Sequence, residues 1–257
     1  MKTRTTLVAI IALIMASSCA SRKDLVYFQD EPLTEGIANS QPQALIYKTD
    51  DLLTIDVSAL DPDAVRPFNL PAVSYNADVT SAQGNLRMQT YLIDYDGNIE
   101  FPVLGTIKMG GLTRTQATAM LKERLAEYVK NPIVNIRLAN FTVTIIGEVT
   151  SPGTFTIQDE RITLLEALGL ANDLTIFGKR NNVFLIREIE GKKYFEKIDL
   201  TSVNVVNSPL YYLQQNDVIY VEPNNAKVRQ SAFNQNNAVL ISAVGTLATI
   251  AAIFLAK

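Results

Sequence analysis

The strongest constraint on this chain is an uncharged apolar run near its C-terminal end, Ala238 to Ala256. As a helix, a run of this length reaches roughly 28 Å, close to the ~30 Å thickness of the hydrocarbon core of a bilayer. The run therefore predicts a transmembrane helix over residues 238–256.

The same run carries a stripe of small side chains. Nine of its residues are large and apolar, and the other ten are Ala, Gly, Ser or Thr. Because small residues let membrane helices approach closely, we predict that this stripe contacts other helices. The alternative is that Ala and Thr are simply common in membrane helices. The stripe repeats at steps of four and three positions and consists of Ala238, Ser242, Gly245, Thr249, Ala252 and Ala256.

The composition argues against several functional classes. The chain has 257 residues, a net charge of -3 and no basic block of five or more residues. Nucleic-acid binding needs a clustered positive face, so we do not expect it. There is no His and only one Cys, Cys19, which removes the commonest general base and excludes an internal disulfide. We therefore expect no enzymatic activity, no cofactor and no metal site.

The N-terminal residues are typical of a secretory signal peptide over residues 1–18. Lys2 and Arg4 precede a nine-residue apolar core, and small residues follow. A Cys directly after small residues resembles a bacterial lipobox, in which Cys19 would be lipidated and become the new N-terminus. Two or three acyl chains would anchor the protein firmly, since each buried methylene contributes about 0.8 kcal/mol. The alternative is a simple signal peptide cut near Cys19, which leaves a free thiol. Residues 19–45 form a polar tether.

Residues 46–140 carry strand and turn signals. Apolar and polar residues alternate over residues 47–58 and again at positions 134–138. Asp96-Gly97 predicts a hairpin turn between two strands. Residues 103–109 predict a short strand pair broken by Gly105.

Two capping boxes predict two helices. Thr113 and Gln116 begin the first, which we expect to end at Asn131-Pro132. Thr163 and Glu166 begin a second, shorter helix. Around this second helix the sequence predicts strands over residues 141–148, 149–157, 183–187, 193–198 and 210–221.

Three stretches together resemble the polysaccharide export outer-membrane translocon family. They are YKTDDLLTIDV, YLIDYDGNIEFPVLGTIKMGGLTRTQATAML and IIGEVTSPGTFTI. No single element is specific, but the DG-x-I-x-x-P-x-x-G match over residues 96–105 together with Gly111-Leu112-Thr113 is specific to that family. The positions that match the motifs of that family are Asp51, Asp96, Gly97, Pro102, Gly105, Gly111, Gly147, Pro152 and Gly153.

The resemblance implies an α+β fold in two parts. A polysaccharide export domain would span residues 46–140, and one soluble-ligand-binding β-grasp domain would span residues 141–223. A polar linker over residues 224–237 would lead to the C-terminal transmembrane helix at residues 238–256. Glu148 and Asp217 also fall on motif positions, and we expect both to form hydrogen bonds at a turn or strand end.

The resemblance also implies a function. It is that of an outer-membrane lipoprotein, mostly periplasmic, which forms a homo-oligomeric ring whose C-terminal helices build a channel for capsule or exopolysaccharide. Ser242, Gly245, Thr249 and Ala252 would then face either a neighbouring helix or the pore. The implied partners are polysaccharide and an inner-membrane co-polymerase of the tyrosine-kinase type. Two alternatives remain: an anchored periplasmic scaffold that binds saccharide or a partner without a channel, and an enzyme acting on envelope polymers.

Other polar and aromatic groups have structural interpretations. Asp50 and Asp51 are neighbours on a strand and point to opposite faces, so we expect a solvated strand end. Gly178-Lys179-Arg180 lacks the upstream Gly of a phosphate-binding loop. Tyr211 and Tyr212 suit stacking on sugars, but packing in a core or an interface is the expected role.

Overall fold

The computed structural model describes residues 25–30, 44–71, 73–74, 86–87, 89–189, 191–232, 242–243, 245–247 and 249–250. Two predicted site residues, Cys19 and Ala252, lie outside this set, and so does most of the predicted span 238–256. The described positions of that span, which include Ser242, Gly245 and Thr249, are helical. Within the described residues, no helix is both long enough and apolar enough to cross a membrane.

The described chain is a mixture of sheets and short helices around two hydrophobic cores, which confirms the α+β class. We call residues 44–139 the first module and residues 141–223 the second module. The elements of the first module are β1 (Leu52–Ser58), α1 (Pro62–Val65), a 3-10 turn (Arg66–Phe68), β2 (Val73–Ser74), β3 (Leu86–Arg87), β4 (Tyr91–Leu92), β5 (Asn98–Phe101), β6 (Gly105–Lys108), α2 (Arg114–Leu125) and β7 (Ile133–Leu138).

The first module is built from small antiparallel sheets and one full-length helix. Strands pair in the order β4-β1-β7, and β5 and β6 form a separate hairpin. Helix α2 begins at the predicted capping box, since Thr113 Oγ1 accepts from the Gln116 N–H and the Gln116 side chain returns to the Thr113 backbone. The core is made of alternating strand residues and the inner face of α2, with Leu53, Ile93, Ile107, Leu121 and Leu125 fully buried.

Three local predictions for this module need correction. Residues 103–109 hold one strand, because Gly105 at φ +69° closes the loop and starts β6 opposite Phe101. Asp96-Gly97 does form a turn, but β4 and β5 pair in different sheets, so the turn links two sheets. Helix α2 ends at Leu125, where the Ala126 N–H bonds to both the Lys122 and Glu123 carbonyls.

The second module is one five-stranded sheet with a helix packed on it. The strand order is β11-β10-β12-β8-β9, in which only the β12–β8 pair among these strands is parallel. Its elements are β8 (Thr142–Gly147), β9 (Gly153–Thr156), α3 (Leu164–Leu170), β10 (Gly178–Ile189), β11 (Lys192–Ile198), a 3-10 turn (Val203–Asn207) and β12 (Val218–Pro223).

Helix α3 and the inner face of this sheet form the second core. The predicted capping box is present, with Thr163 and Glu166 bonded reciprocally. Leu164 and Ala167 on the helix are fully buried, as are Val143, Leu185 and Ile219 on the sheet. After β12 a further helix, α4 (Asn225–Ala232), begins within the segment predicted to be a polar linker.

Candidate functional site

Two Gly turns of the first module pack directly on each other. The Gly97 carbonyl accepts from the Met109 N–H at 2.9 Å and from the Gly110 N–H at 2.8 Å. A Cβ on Gly110 would lie 2.9 Å from the Gly97 Cα, so a side chain there would force the backbone to shift. Gly97 and Gly111 have φ of +80° and +88°, a region that favours glycine. The motif positions Asp96, Gly97 and Gly111 therefore build a corner of the fold.

The motif glycine of the second module marks a close backbone approach. Gly147 ends β8 at φ +94°, and a Cβ there would lie 2.1 Å from the Val221 carbonyl oxygen on β12. Pro152 and Gly153 lie at the connection from β8 to β9. In the first module, Pro102 and Gly105 bracket the β5–β6 loop in the same way. These positions shape turns and hold no side chain that could bind a ligand.

Asp51 is a motif residue whose ionisable side chain is buried. Its side chain is 3% exposed, which contradicts the expected solvated strand end, although the neighbouring Asp50 is exposed as predicted. The Lys48 N–H donates to Asp51 Oδ2 at 2.8 Å. Burial raises the pKa of Asp51 from 3.8 to about 6, and the nearby Asp50 adds to this. The Lys48 backbone and charge and the Gln215 side chain act in the opposite direction.

Asp51 lies at the junction between the two modules. Gln215, which bonds to its carboxylate, belongs to the loop before β12 in the second module. Asn140 connects the two modules and its side chain bonds to the first of them: its Oδ1 accepts from the Leu52 N–H at 2.9 Å, and its Nδ2 donates to the Asp50 carbonyl at 3.0 Å. Leu45 and Leu138 pack against both cores. These contacts fix how the two modules sit on each other.

The second module buries an ion pair close to this junction. Arg187 donates to Asp217 through two nitrogens, Nε to Oδ1 at 2.9 Å and Nη2 to Oδ2 at 2.6 Å. Asp217 has 0% exposure and also accepts from the Gln214 N–H at 2.7 Å. Arg187 also donates to the Tyr212 carbonyl at 3.2 Å. Asp217 is therefore a hydrogen-bonded residue at the start of a strand, as its position suggested.

Glu148 links helix α4, which follows the last strand, to the rest of the second module. Its Oε2 accepts from the Thr175 hydroxyl at 2.9 Å, and its Oε1 lies 3.4 Å from Lys227 Nζ on α4. The Lys227 ammonium also lies 5.1 Å from the centroid of the Phe177 ring. Helix α4 is therefore held against the end of the sheet from which it leaves.

The other candidates have structural contacts. Lys179 pairs with Glu222 at 2.8 Å, and Tyr211 packs against the second core. Tyr212 lies under the Arg161 guanidinium, 5.5 Å from its ring centroid. Burial raises the pKa of both Tyr47 and Tyr91 to about 12, so these phenols stay protonated. In the part of the chain that the structure describes, no cluster of His, Cys, Asp and Glu could hold a metal ion.

Sequence reasoning missed Asn140 and Arg187. Each acts on a partner far away in sequence: Asn140 on a carbonyl 90 positions before it, and Arg187 on a carboxylate 30 positions after it. No local pattern marks such a pair. The Leu138-Ala139-Asn140 segment between two alternating strands gives only the place of the connection.

Comparisons with known proteins cover both modules. The family described as polysaccharide biosynthesis/export protein matches residues 39–139, and the SLBB domain matches residues 142–221. The EPS I polysaccharide export outer membrane protein EpsA of Ralstonia solanacearum is 27% identical over 179 residues, covering 68% of this chain and 47% of that protein. EpsA of Ralstonia nicotianae is 29% identical over 178 residues, covering 68% and 46%. The chain thus spans about half the length of the curated relatives it matches.

Proposed function

We propose, on the premise that the chain belongs to the polysaccharide biosynthesis/export protein family, that it is a subunit of an outer-membrane exporter of polysaccharide. The observation that carries this proposal is the pair of adjacent matches over residues 39–139 and 142–221, each of which lies on one hydrophobic core. Both EpsA relatives are named for polysaccharide export at the outer membrane. We extend that role to this chain.

We further propose that the subunits form a ring and that the C-terminal helices line a channel. A single helix cannot enclose a pore, so a channel built from residues 238–256 requires several copies. The described part of that segment supports a helix suited to lipid, because its two Thr hydroxyls donate to backbone carbonyls of the same segment. Thr246 Oγ1 donates to the Ser242 carbonyl and Thr249 Oγ1 to the Gly245 carbonyl, both at 2.7 Å.

Two anchors would hold the protein in the outer membrane. We propose that Cys19 is lipidated, and that residues 238–256 insert as a second anchor. The ten small or mildly polar residues of that run lower its drive to insert. We propose that this dilution lets the chain pass the inner membrane during secretion. A variant in which Leu replaces small residues of this run should be retained in the inner membrane. Normal sorting of that variant would refute the idea.

The first test is genetic. A strain that lacks this gene should lose surface polysaccharide, and the full chain should restore it. The matched loss-of-anchor variant is Cys19→Ser, which cannot be acylated and should restore little. Full surface polysaccharide in the deletion strain would reject the export role.

The second test concerns the ring. In detergent, the mass of the purified particle should correspond to several copies, and negative-stain images should show rings. A Cβ on Gly245 meets no described atom within 4 Å, so Gly245→Leu should leave the fold of one chain intact and weaken assembly. The control is Ala243→Leu, at a small residue that lies outside the stripe. A monomeric unaltered particle would favour the alternative, an anchored periplasmic scaffold that binds saccharide or a partner without a channel.

The resemblance also suggests an inner-membrane partner. We propose that a polysaccharide co-polymerase of the tyrosine-kinase type meets the periplasmic part of this chain. Cross-linking in cells that contain both proteins should give a heteromeric band. Its absence in cells that export normally would count against a direct contact.

A further inference from the structure

Residues 25–30, which we call the strap, lie on the second module although the first module follows them in sequence. The Phe28 N–H donates to the Leu200 carbonyl at 3.3 Å, and the Gln29 N–H donates to the Thr201 carbonyl at 2.6 Å. Leu200 and Thr201 lie two and three residues after the end of β11, the edge strand of the sheet. The strap therefore pairs through its backbone with a distant part of the chain.

Tyr27 is the side chain that fixes the strap. Its hydroxyl donates to Asp173 Oδ1, and the Arg180 guanidinium lies 5.2 Å from its ring centroid. The ring also packs against the second core. Burial and the bond to Asp173 raise the pKa of the Tyr27 phenol, so the donor stays protonated. A half-buried ring and a bonded hydroxyl make Tyr27 the residue that clamps the strap.

The seat for Tyr27 is held in place by the second module itself. Asp173 follows helix α3 at φ +66°, and its Oδ1 also accepts from the Leu174 N–H at 2.6 Å. Arg180 is 6% exposed and donates to the Thr175 and Gly178 carbonyls at 3.3 and 3.2 Å. Because these contacts do not involve the strap, both groups are positioned before it docks.

The strap backbone adopts a conformation that needs support. Phe28 has φ of +50°, which is uncommon for a residue with a bulky side chain, yet its own side chain is 42% exposed. Such a conformation persists only where the surrounding contacts determine it. The Tyr27 clamp and the two backbone bonds supply those contacts.

The position of Tyr27 in the sequence sets the length of the tether between Cys19 and the second module. Tyr27 lies eight residues after Cys19, so an extended chain between them reaches about 28 Å. Among the described residues, the next side chain that packs against either core is Leu45, 26 residues after Cys19. Without the clamp, the same tether reaches about 90 Å.

We propose that the strap is a clamp that keeps the second module within about 28 Å of the lipid surface holding Cys19. The inference rests on the proposed lipidation of Cys19. Docking of Tyr27 shortens the working tether about threefold, so that only residues 20–26 determine how far the second module can move away from the membrane.

A matched pair of insertions tests the clamp. The same eight-residue Gly/Ser segment is placed either before the strap, after Ser21, or behind it, after Gly36. An undocked tether makes the two insertions equivalent, whereas a docked strap makes only the first one lengthen the working tether. The full chain is reconstituted in vesicles of phosphatidylethanolamine and phosphatidylglycerol that carry a head-group acceptor dye, with a donor dye on Glu188→Cys.

The expected result is lower energy transfer for the insertion before the strap and unchanged transfer for the insertion behind it. With Tyr27→Ala in both chains, the two insertions should give the same transfer. Equal transfer for the two insertions in the otherwise unaltered chain overturns the proposal, whether both change the distance or neither does. Dye on the Cys19 thiol, or an N-terminal peptide without acyl mass, identifies failure of the lipidation premise separately.

Hydrogen exchange of the full chain in detergent tests docking independently of the membrane. The Phe28 and Gln29 amides should exchange slowly, and about tenfold or more faster in Tyr27→Ala. Leu25→Ala, an exposed position of the same strap, is the control and should leave their rates unchanged. Tyr27→Phe keeps the ring over Arg180 and should give an intermediate rate. Equal rates in Tyr27→Ala and the unaltered chain overturn the clamp.

Discussion

Among the residues that the structure describes, each module buries one aspartate, and the surroundings of the two aspartates differ. Asp217 in the second module faces Arg187 in a two-point ion pair. Asp51 in the first module receives only backbone and amide donors, from Lys48 and Gln215, and burial raises its pKa to about 6. In an ion pair, each buried charge is stable only while its partner is present. A buried carboxylate without a cationic partner instead makes the free energy of unfolding depend on pH. The comparison predicts which substitutions should hurt and which should help.

The largest effect should come from breaking the ion pair on one side. Asp217→Ala leaves the Arg187 charge buried without its carboxylate, and should lower the free energy of unfolding by about 3 to 5 kcal/mol. Chemical denaturation of the full chain measures this. The control is the double variant Arg187→Met with Asp217→Leu, which removes both charges and should recover most of the loss. A double variant as unstable as the single one would show that the carboxylate acts through its bond to the Gln214 N–H instead.

The opposite sign is expected at Asp51. Asp51→Asn keeps an acceptor for the Lys48 N–H and removes the buried charge, so at pH 7.5 it should stabilise the protein by up to about 3 kcal/mol, given the rise of the Asp51 pKa from 3.8 to about 6. The raised pKa means that the folded protein binds more protons than the unfolded chain between 3.8 and about 6. The contribution of Asp51 to the stability of the protein should therefore fall as the pH rises through this window.

The difference between the two proteins isolates this residue. It should be near zero at pH 4 and reach its full size at pH 7.5, as measured by denaturation at both pH values. Asp50→Asn, the exposed neighbour, is the control and should show little change. A difference that does not vary with pH would mean that the pKa of Asp51 is the same in the folded and the unfolded protein.

A smaller loss is expected at the connection beside Asp51. Asn140→Ala removes two hydrogen bonds, to the Leu52 N–H and the Asp50 carbonyl, and should cost about 1 to 2 kcal/mol. Proteolysis between the modules should also become faster. Asn135→Ala, on the exposed side of β7, is the matched control. Equal stability of the two variants would exclude a structural role of Asn140 at the junction.

The smallest effects should be alike in the two modules. Thr113→Ala and Thr163→Ala each remove a capping-box hydroxyl, and each should cost about 1 kcal/mol. Thr→Ser at either position keeps the hydroxyl and should be nearly neutral. Thermal denaturation compares the four variants. If the loss of one cap lowers the stability far more than the loss of the other, the helices of the two modules contribute unequally to stability.

These residues also show what the sequence can predict. Both capping boxes were correct, because a cap is satisfied within four consecutive residues. The predicted end of helix α2 was wrong, since the turn that follows Leu125 is set by packing that keeps Val129 buried. The prediction that Asp51 lies at a solvated strand end was also wrong. The surroundings of Asp51 include Gln215, which is far away in the sequence. The ion pair was missed because 30 positions separate its members.

The docked strap has a consequence for folding. Tyr27 and Asp173 are 146 positions apart, and the whole first module lies between them. The second module is therefore interrupted in sequence, and its last contact closes a loop that contains an entire folded unit. Long loops close slowly, so strap docking should be the final step of folding and should wait until both modules have formed. A chain that enters the periplasm N-terminus first would carry its strap undocked until Asp173 and Arg180 have followed.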